Sequence, residues 1–232
     1  MRICCTSDLH GFLPPIPPCD LLLIAGDVCP IKNQFATAQR AWIRNDFCEW
    51  LWANKIAGNF RQCVMTWGNH DFIGEKWLPS NLKDHAVVLV DAMFEFEGLK
   101  IWGDPWTQEY GEWAFMLPPN HLRLKHQDIP TCDILLTHGP PHSFGDMAPR
   151  QDAKLHQSYW EHIGSPAMIQ RIAQIEPKLV VFGHNHHGQG WRRLGNTVIA
   201  NVALVGPNMA PSYPPLVFVL NDGQIEYCEE TL

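Results

Sequence analysis

The chain has 232 residues, 46% hydrophobic and 18% charged, which is enough apolar material for a large core and too much for a disordered chain. Its 17 Lys and Arg against 24 Asp and Glu give a formal charge of −7, and no basic run exceeds Trp191-Arg192-Arg193. The positive face that nucleic acid or an anionic membrane surface requires is therefore missing, and no apolar run approaches the roughly 18 residues of a membrane-spanning helix.

The chain opens directly on an apolar run, Ile3 to Thr6, which reads as the first strand rather than as a secretory leader, and a cytoplasmic protein is the expectation. The eight cysteines form no C-x-x-C pair and mostly lie within apolar stretches, a pattern that suits buried reduced thiols. Ser7-Asp8-Leu9-His10 follows the first run. Leu21 to Ala25 comes next and ends in Gly26-Asp27.

Residues 33 to 57 carry Phe35, Ala38, Trp42, Phe47, Trp50, Leu51 and Ile56 at helical spacing, long enough for a crossover between parallel strands, with Gly58-Asn59 as its stop. The tryptophans at 42, 50 and 52 read as packing rather than as a platform for bases. Cys63 to Trp67 then leads into Gly68-Asn69-His70-Asp71, and weaker runs at 86–90 and 99–102 read as further strands.

Ile134 to Thr137 precedes His138-Gly139. A second helix is predicted from Ser165 to Glu176, started by Ser165-Pro166 and stopped by Pro177. Leu179 to Phe182 precedes Gly183-His184-Asn185-His186. Strands are expected at 197–203 and 216–220, the last closing a hairpin through Asn221-Asp222-Gly223. With no linker or repeat in view, residues 1–232 read as one α/β domain.

Every polar cluster falls immediately after a strand, where open α/β sheets gather their ligands. The residues brought there are Asp8, His10, Asp27, Asn69, His70, Asp71, His138, His184 and His186, all metal-ligand or proton-transfer types. Asp8 with His10, and His184 with His186, stand at i and i+2, so either pair can turn toward one ion or toward neighbouring ions. Asp8, His10, Asp27, Asn69, His138, His184 and His186 are too many for one four-coordinate zinc. They suit two sites that share a bridging carboxylate, for which Asp27 stands ready. Oxygen and imidazole without thiolate favour manganese, iron or zinc over soft metals, and two such ions, manganese before iron or zinc, are the expectation.

In this order, D-x-H, G-D, G-N-H-D, H and G-H-x-H resemble the calcineurin-like metallophosphoesterase superfamily. Trp106 to Leu117, Leu135 to Pro141, Pro177-Lys178-Leu179 and Tyr213-Pro214-Pro215 look like the subgroup of metallophosphoesterase-domain brain proteins and their bacterial relatives. Val28-Cys29-Pro30 after Asp27 departs from the serine/threonine phosphatase and purple acid phosphatase branches.

The resemblance implies a four-layer α/β/β/α sandwich of two mixed sheets flanked by helices. It implies one metal on Asp8, His10, Asp27 and His186, and a second on Asp27, Asn69, His138 and His184. His70 is then the catalytic general acid beside the leaving group, with Asp71 placed to orient its ring. The implied reaction is in-line attack of a metal-bridging hydroxide on a small phosphodiester of the cyclic-nucleotide kind. A phosphomonoesterase and a non-catalytic scaffold are the alternatives, and a nuclease is disfavoured by the lack of a basic groove. Trp106, His142 and Asp146 are placed in loops near the mouth, and His85, His121, His126, His142, His156, His162 and His187 read as surface or structural.

Overall fold

The computed structural model describes all residues except 33, 77–78, 153–156 and 230–232, so the expectation for His156 lies outside the described residues. The strands in chain order are β1 (Arg2–Thr6), β2 (Leu21–Ala25), β3 (Gln62–Thr66), β4 (Val87–Val88), β5 (Ala92–Phe96), β6 (Leu99–Asp104), β7 (Thr107–Gln108) and β8 (Met116–Leu117). They continue with β9 (Ile134–Thr137), β10 (Met147–Asp152), β11 (Gln157–His162), β12 (Leu179–Phe182), β13 (Gly190–Leu194), β14 (Thr197–Asn201), β15 (Leu216–Asn221) and β16 (Gln224–Tyr227). The α-helices are α1 (Ala36–Trp42), α2 (Cys48–Ile56), α3 (Phe72–Lys76), α4 (Pro119–Gln127) and α5 (Pro166–Ile175).

Two six-stranded mixed sheets form the centre, in the orders β16-β15-β1-β2-β3-β4 and β13-β14-β12-β9-β6-β5. Strands β1 to β4 run parallel in the first sheet, and β6, β9, β12 and β14 run parallel in the second, with antiparallel pairing at the β15-β16 end of the first and at both ends of the second.

Alternation along each strand explains the uninterrupted apolar runs, because successive side chains enter different layers. Ile3, Cys5, Leu23 and Val64 face the second sheet and meet Ile101, Leu136, Val181 and Ala200 there. Cys4, Leu22, Ile24 and Met65 face outward onto Ile43, Phe47 and Leu51 of the long crossover. On the opposite side, Leu135, Val180 and Ile199 pack against Met168 and Ile172 of α5. The four layers implied by the resemblance are present.

The crossover is not one uniform helix. A π-turn at Ile43–Phe47 joins α1 to α2, which brings Ile43, Phe47 and Leu51 to one buried face. Gly58, with φ +78°, closes α2 as the sequence predicts, its N–H donating to the Lys55 carbonyl. Trp50 packs and donates to the Pro14 carbonyl at 3.0 Å, but Trp52 is exposed rather than packed. Helix α5 starts where expected, with Ser165 Oγ accepting the Met168 N–H at 3.2 Å. Strands β5, β7, β8, β10, β11 and β13 and helices α3 and α4 are additions to the sequence reading, all of them short, edge-placed or outside the two central sheets.

All eight cysteines are free thiols, six of them buried, as expected. No helix among the described residues is long and apolar enough to cross a membrane.

Candidate metal centre

The parallel strands of both sheets end on the same side, and the loops that leave them carry the cluster. Asp8 and His10 follow β1, Asp27 follows β2, and Asn69 and His70 follow β3, while His138 follows β9 and His184 and His186 follow β12. The 8–11 segment runs along 26–28 through backbone bonds from Asp8 N–H to Gly26 O (2.9 Å), His10 N–H to Asp27 O (2.9 Å) and Gly11 N–H to Val28 O (3.0 Å). Asp8, His10, Asp27 and His184 all sit at positive φ, between 45° and 67°, a cost that chains retain where surrounding structure fixes a functional side chain. Asn69 is not among the left-handed residues, so it does not serve to form a left-handed turn after Gly68.

Two glycines make room. A Cβ on Gly68 would collide with Asp27 and with the His138 ring, and one on Gly183 would collide with Asp8 and Ser7. The glycines of G-N-H-D and G-H-x-H are thus set by close approach across the cluster.

All seven side chains read as ligands converge. His10 Nε2 and His186 Nε2 face one another at 3.3 Å, and His186 Nε2 lies 3.1 Å from Asp8 Oδ1. Asn69 Oδ1 lies between His138 Nε2 (2.9 Å) and His184 Nδ1 (2.8 Å). Asp27 Oδ2 stands between the two groups, 3.8 Å from His10 Nε2 and 3.4 Å from His138 Nε2. Asp8 further accepts the His184 N–H at 3.0 Å, a bond that spans the two sheets.

Hydrogen bonding fixes the ring of His138. The Ala25 carbonyl can only accept, so at 2.8 Å it takes the Nδ1 proton and turns Nε2 toward Asn69 and Asp27. The Asn69 amide is oriented in turn by Nδ2 donating to the Tyr110 hydroxyl at 3.3 Å. His10 Nδ1 is buried and has no partner among the described residues.

The electrostatics are those of a site with too many nitrogens and carboxylates for its protons. Burial alone would raise Asp8, yet the hydrogen bond and charge of His186 bring it down to about 2. Asp27 goes well below the carboxylate range, because the imidazoles of His138 and His70 outweigh its burial. His138, though buried, is lifted to about 9 by Asp27. Burial pushes His10 down to about 4 and, reinforced by His138, His184 down to about 3. A proton held between His138 Nε2 and Asp27 occupies the place a cation would take.

This donor set fits divalent cations: converging imidazoles, two buried carboxylates and an amide oxygen wedged between two ring nitrogens. Asp8, His10 and His186 form one close group of donor atoms, and Asp8, Asp27 and His138 form a second that shares Asp8 with it.

His70 lies beside the cluster, its ring centroid 5.0 Å from that of His10. Its backbone is held at both ends, with the N–H donating to Asp27 Oδ1 (2.7 Å) and the carbonyl accepting from Gln39 Nε2 (2.7 Å). Asp71 does not orient it, contrary to the sequence expectation. The Asp71 carboxylate turns the other way and accepts the N–H groups of Val28 (3.3 Å), Cys29 (2.9 Å) and Gly68 (2.9 Å), binding the β2 and β3 loops together. Burial, with the charge of Asp27, pushes Asp71 up to about 6.

The neighbour that His70 does have is Trp113, which sequence reasoning missed, with ring centroids 4.3 Å apart. The Ala114 N–H, bonded to the Asn69 carbonyl at 3.0 Å, holds Trp113 there. Trp113 and Tyr110 sit between β7 and β8, in a stretch whose apolar residues show no period that would have marked them.

Trp106 lines a cavity of about 90 Å³ that opens from His184, together with Tyr110, Arg150 and His162. His142 and Asp146 are not among its lining residues. His126 is buried and bonded to Ser165 Oγ at 2.7 Å, while His187 packs on Trp160, both structural as read.

A human protein, Metallophosphoesterase domain-containing protein 1, is 29% identical over 245 residues, which span 94% of this chain and 71% of the human one. The Caenorhabditis elegans UPF0046 protein C25E10.12 is 27% identical over 248 residues, covering 94% of this chain and 80% of the worm one. The crystal structure of TT1561 from Thermus thermophilus superposes with a TM-score of 0.58 at 14% identity, covering 98% of this chain and 97% of the other, and so shares its fold. Residues 1–188 match the family described as calcineurin-like phosphoesterase. With that match over most of its length, and with the ligand cluster in place, this chain belongs to the calcineurin-like phosphoesterase family of metal-dependent phosphoesterases.

Proposed function

We infer that the protein is a dinuclear-metal phosphohydrolase acting on small phosphodiesters. The observation that carries this reading is the placement of Asp27 Oδ2 between two groups of nitrogen and oxygen donors, one on each side. Asp8, His10, Asp27 and His186 would hold one divalent ion and Asp27, Asn69, His138 and His184 the other, with manganese favoured over iron and zinc. Such a pair supplies positive charge for the phosphoryl oxygens and an activated water at neutral pH.

The chain's own residues do the rest. Ala25 keeps the His138 proton on Nδ1, and Tyr110 keeps the Asn69 oxygen turned inward, so the donors are set before anything binds. His70 Nδ1 is buried without a hydrogen-bond partner among the described residues, which leaves the ring free to give a proton to the departing ester oxygen. Trp113 holds that ring in place by contact instead of by a hydrogen bond.

Charge supports a diester over a monoester. Among the described residues lining the cavity beside His184, Arg150 alone is a lysine or arginine, and it is spent on Glu161 at 3.3 Å. A monoester dianion would lack a second cation, whereas a singly charged diester does not need one. The sequence has no basic run longer than Arg192-Arg193, which favours a small substrate over a polymer.

The test is turnover by metal-depleted protein given back manganese, iron or zinc, with bis(p-nitrophenyl) phosphate and p-nitrophenyl phosphate compared. Metal-dependent cleavage with the diester preferred is expected. Preference for the monoester overturns the substrate assignment, and no turnover of either with any metal overturns the enzyme.

A further inference from the structure

A second group of ligating side chains converges away from Asp27. One nitrogen from each of His142 and His162 and one oxygen of Asp146 lie within 4.8 Å of one another. The two rings stack with centroids 4.6 Å apart and planes at 34°.

Backbone bonds hold the frame. His142 N–H donates to the Ser165 carbonyl (3.2 Å), Ser165 N–H to the Pro140 carbonyl (2.9 Å) and Ile163 N–H to the Asp146 carbonyl (3.1 Å). Gly164 lies so close that a Cβ there would stand 2.8 Å from Asp146 Oδ2, and its N–H donates to that oxygen at 3.1 Å. Asp146 is therefore fixed before any ligand arrives.

The carboxylate is 1% exposed, yet among the described residues no lysine or arginine forms an ion pair with it. Its side-chain partner is His162 Nδ1 at 2.9 Å, and an imidazole balances a buried charge only when protonated. A divalent cation would balance it without a proton.

We propose that His142, Asp146 and His162 form an accessory site for a single divalent transition-metal ion of the zinc class. Two imidazoles are borderline ligands that suit zinc and disfavour magnesium or calcium, and a carboxylate oxygen is a common third ligand to zinc. Three protein ligands leave a position open to water or to a substrate oxygen. Access is available from two sides. His162 lines both the cavity that reaches His184 and a neighbouring one of about 520 Å³ that Asp146 and His187 also line. The site shares no residue with the Asp27 cluster, so its presence is independent of the phosphohydrolase reading.

Zinc counting on the full chain decides it. Metal-depleted wild-type protein, His142→Ala, His162→Ala and Asp27→Asn are each equilibrated with zinc, freed of excess and analysed by mass spectrometry, with circular dichroism confirming the fold. His142→Ala and His162→Ala are each expected to hold one ion fewer than wild type, and Asp27→Asn is expected to retain one. A cobalt titration should show a tetrahedral absorption band that survives Asp27→Asn and disappears in His162→Ala. Equal zinc content in wild type and both histidine variants overturns the proposal, as does an Asp27→Asn protein that keeps no ion.

Discussion

The Asp27 cluster and the segment that carries Tyr110 and Trp113 face the same crevice but hold their side chains by opposite means. The cluster sits on strand ends in the interior, with Asp8, Asn69 and His138 fully buried and with Asp8, His10, Asp27 and His184 in left-handed backbone positions. The aromatic segment lies between two-residue strands, Tyr110 is 49% exposed, and it meets the site through the Tyr110 hydroxyl and the Ala114 N–H on Asn69, the Tyr110 ring beside His184 and the Trp113 indole on His70. The proposed ligands thus lie in the buried part, and the ring of His70, the proposed proton donor, packs against the more exposed one. Substitutions in the two regions should separate metal content from rate.

Asp27→Asn should give the largest effect, removing the carboxylate between the two donor groups. Metal content and turnover should fall together, which mass spectrometry and steady-state kinetics on one preparation would show. His70→Ala should lower kcat by about 10²- to 10⁴-fold while leaving metal content at the wild-type level. The loss should be greatest for esters with poorly acidic leaving groups, which need the proton most. Equal losses on alkyl and nitrophenyl esters would count against His70 as the donor.

Trp113→Ala should cost roughly 10- to 100-fold, the scale of a misplaced catalytic group, and follow the same leaving-group trend. Trp113→Phe should recover most of it. Asp71→Asn sharpens the contrast: because the carboxylate serves three backbone N–H groups, it should cost about 1–3 kcal/mol in denaturant unfolding. An unchanged unfolding free energy with a fallen kcat would return Asp71 to the role of orienting His70.

The smallest effect is one of pH. In metal-free protein, Asp27 outweighs burial and lifts His138 to about 9. Its contribution to stability is then complete below the ordinary histidine pKa, about 6.5, and is lost as pH rises through 9. His10 and His184, pushed down to about 4 and about 3 chiefly by burial, act below that window and do not offset it. The Tm of metal-free protein should therefore fall from pH 6.5 to 9, while zinc or manganese affinity rises as the competing proton leaves. A flat metal-free Tm across that range would contradict the His138–Asp27 pairing.

The same contrast explains what could be read from the sequence. Strands buried on both faces appear as plain apolar runs, and a ligand must follow directly after such a strand, so Asp8, Asp27, His138 and His184 are visible as residues and as positions. The aromatic segment offers neither signal: Trp113 reaches His70 through a bend between short strands and a backbone bond to Asn69. Asp71 misleads for a related reason. Adjacency in G-N-H-D suggests a partner for His70, but backbone N–H groups without a side-chain signature, those of Val28, Cys29 and Gly68, take its oxygens first. The π-turn likewise leaves little mark, since Ile43, Phe47 and Leu51 are spaced four apart, the interval an unbroken helix also uses.

Asp8, His10, Asp27 and Asn69 issue from one sheet, and His138, His184 and His186 from the other. An ion seated among them rivets the sandwich along its open edge, so occupancy and resistance to unfolding rise together, by about 2.7 kcal/mol when free metal stands at a hundred times its dissociation constant. Loss of such an ion would therefore remove a link between the two sheets as well as the chemistry it supplies.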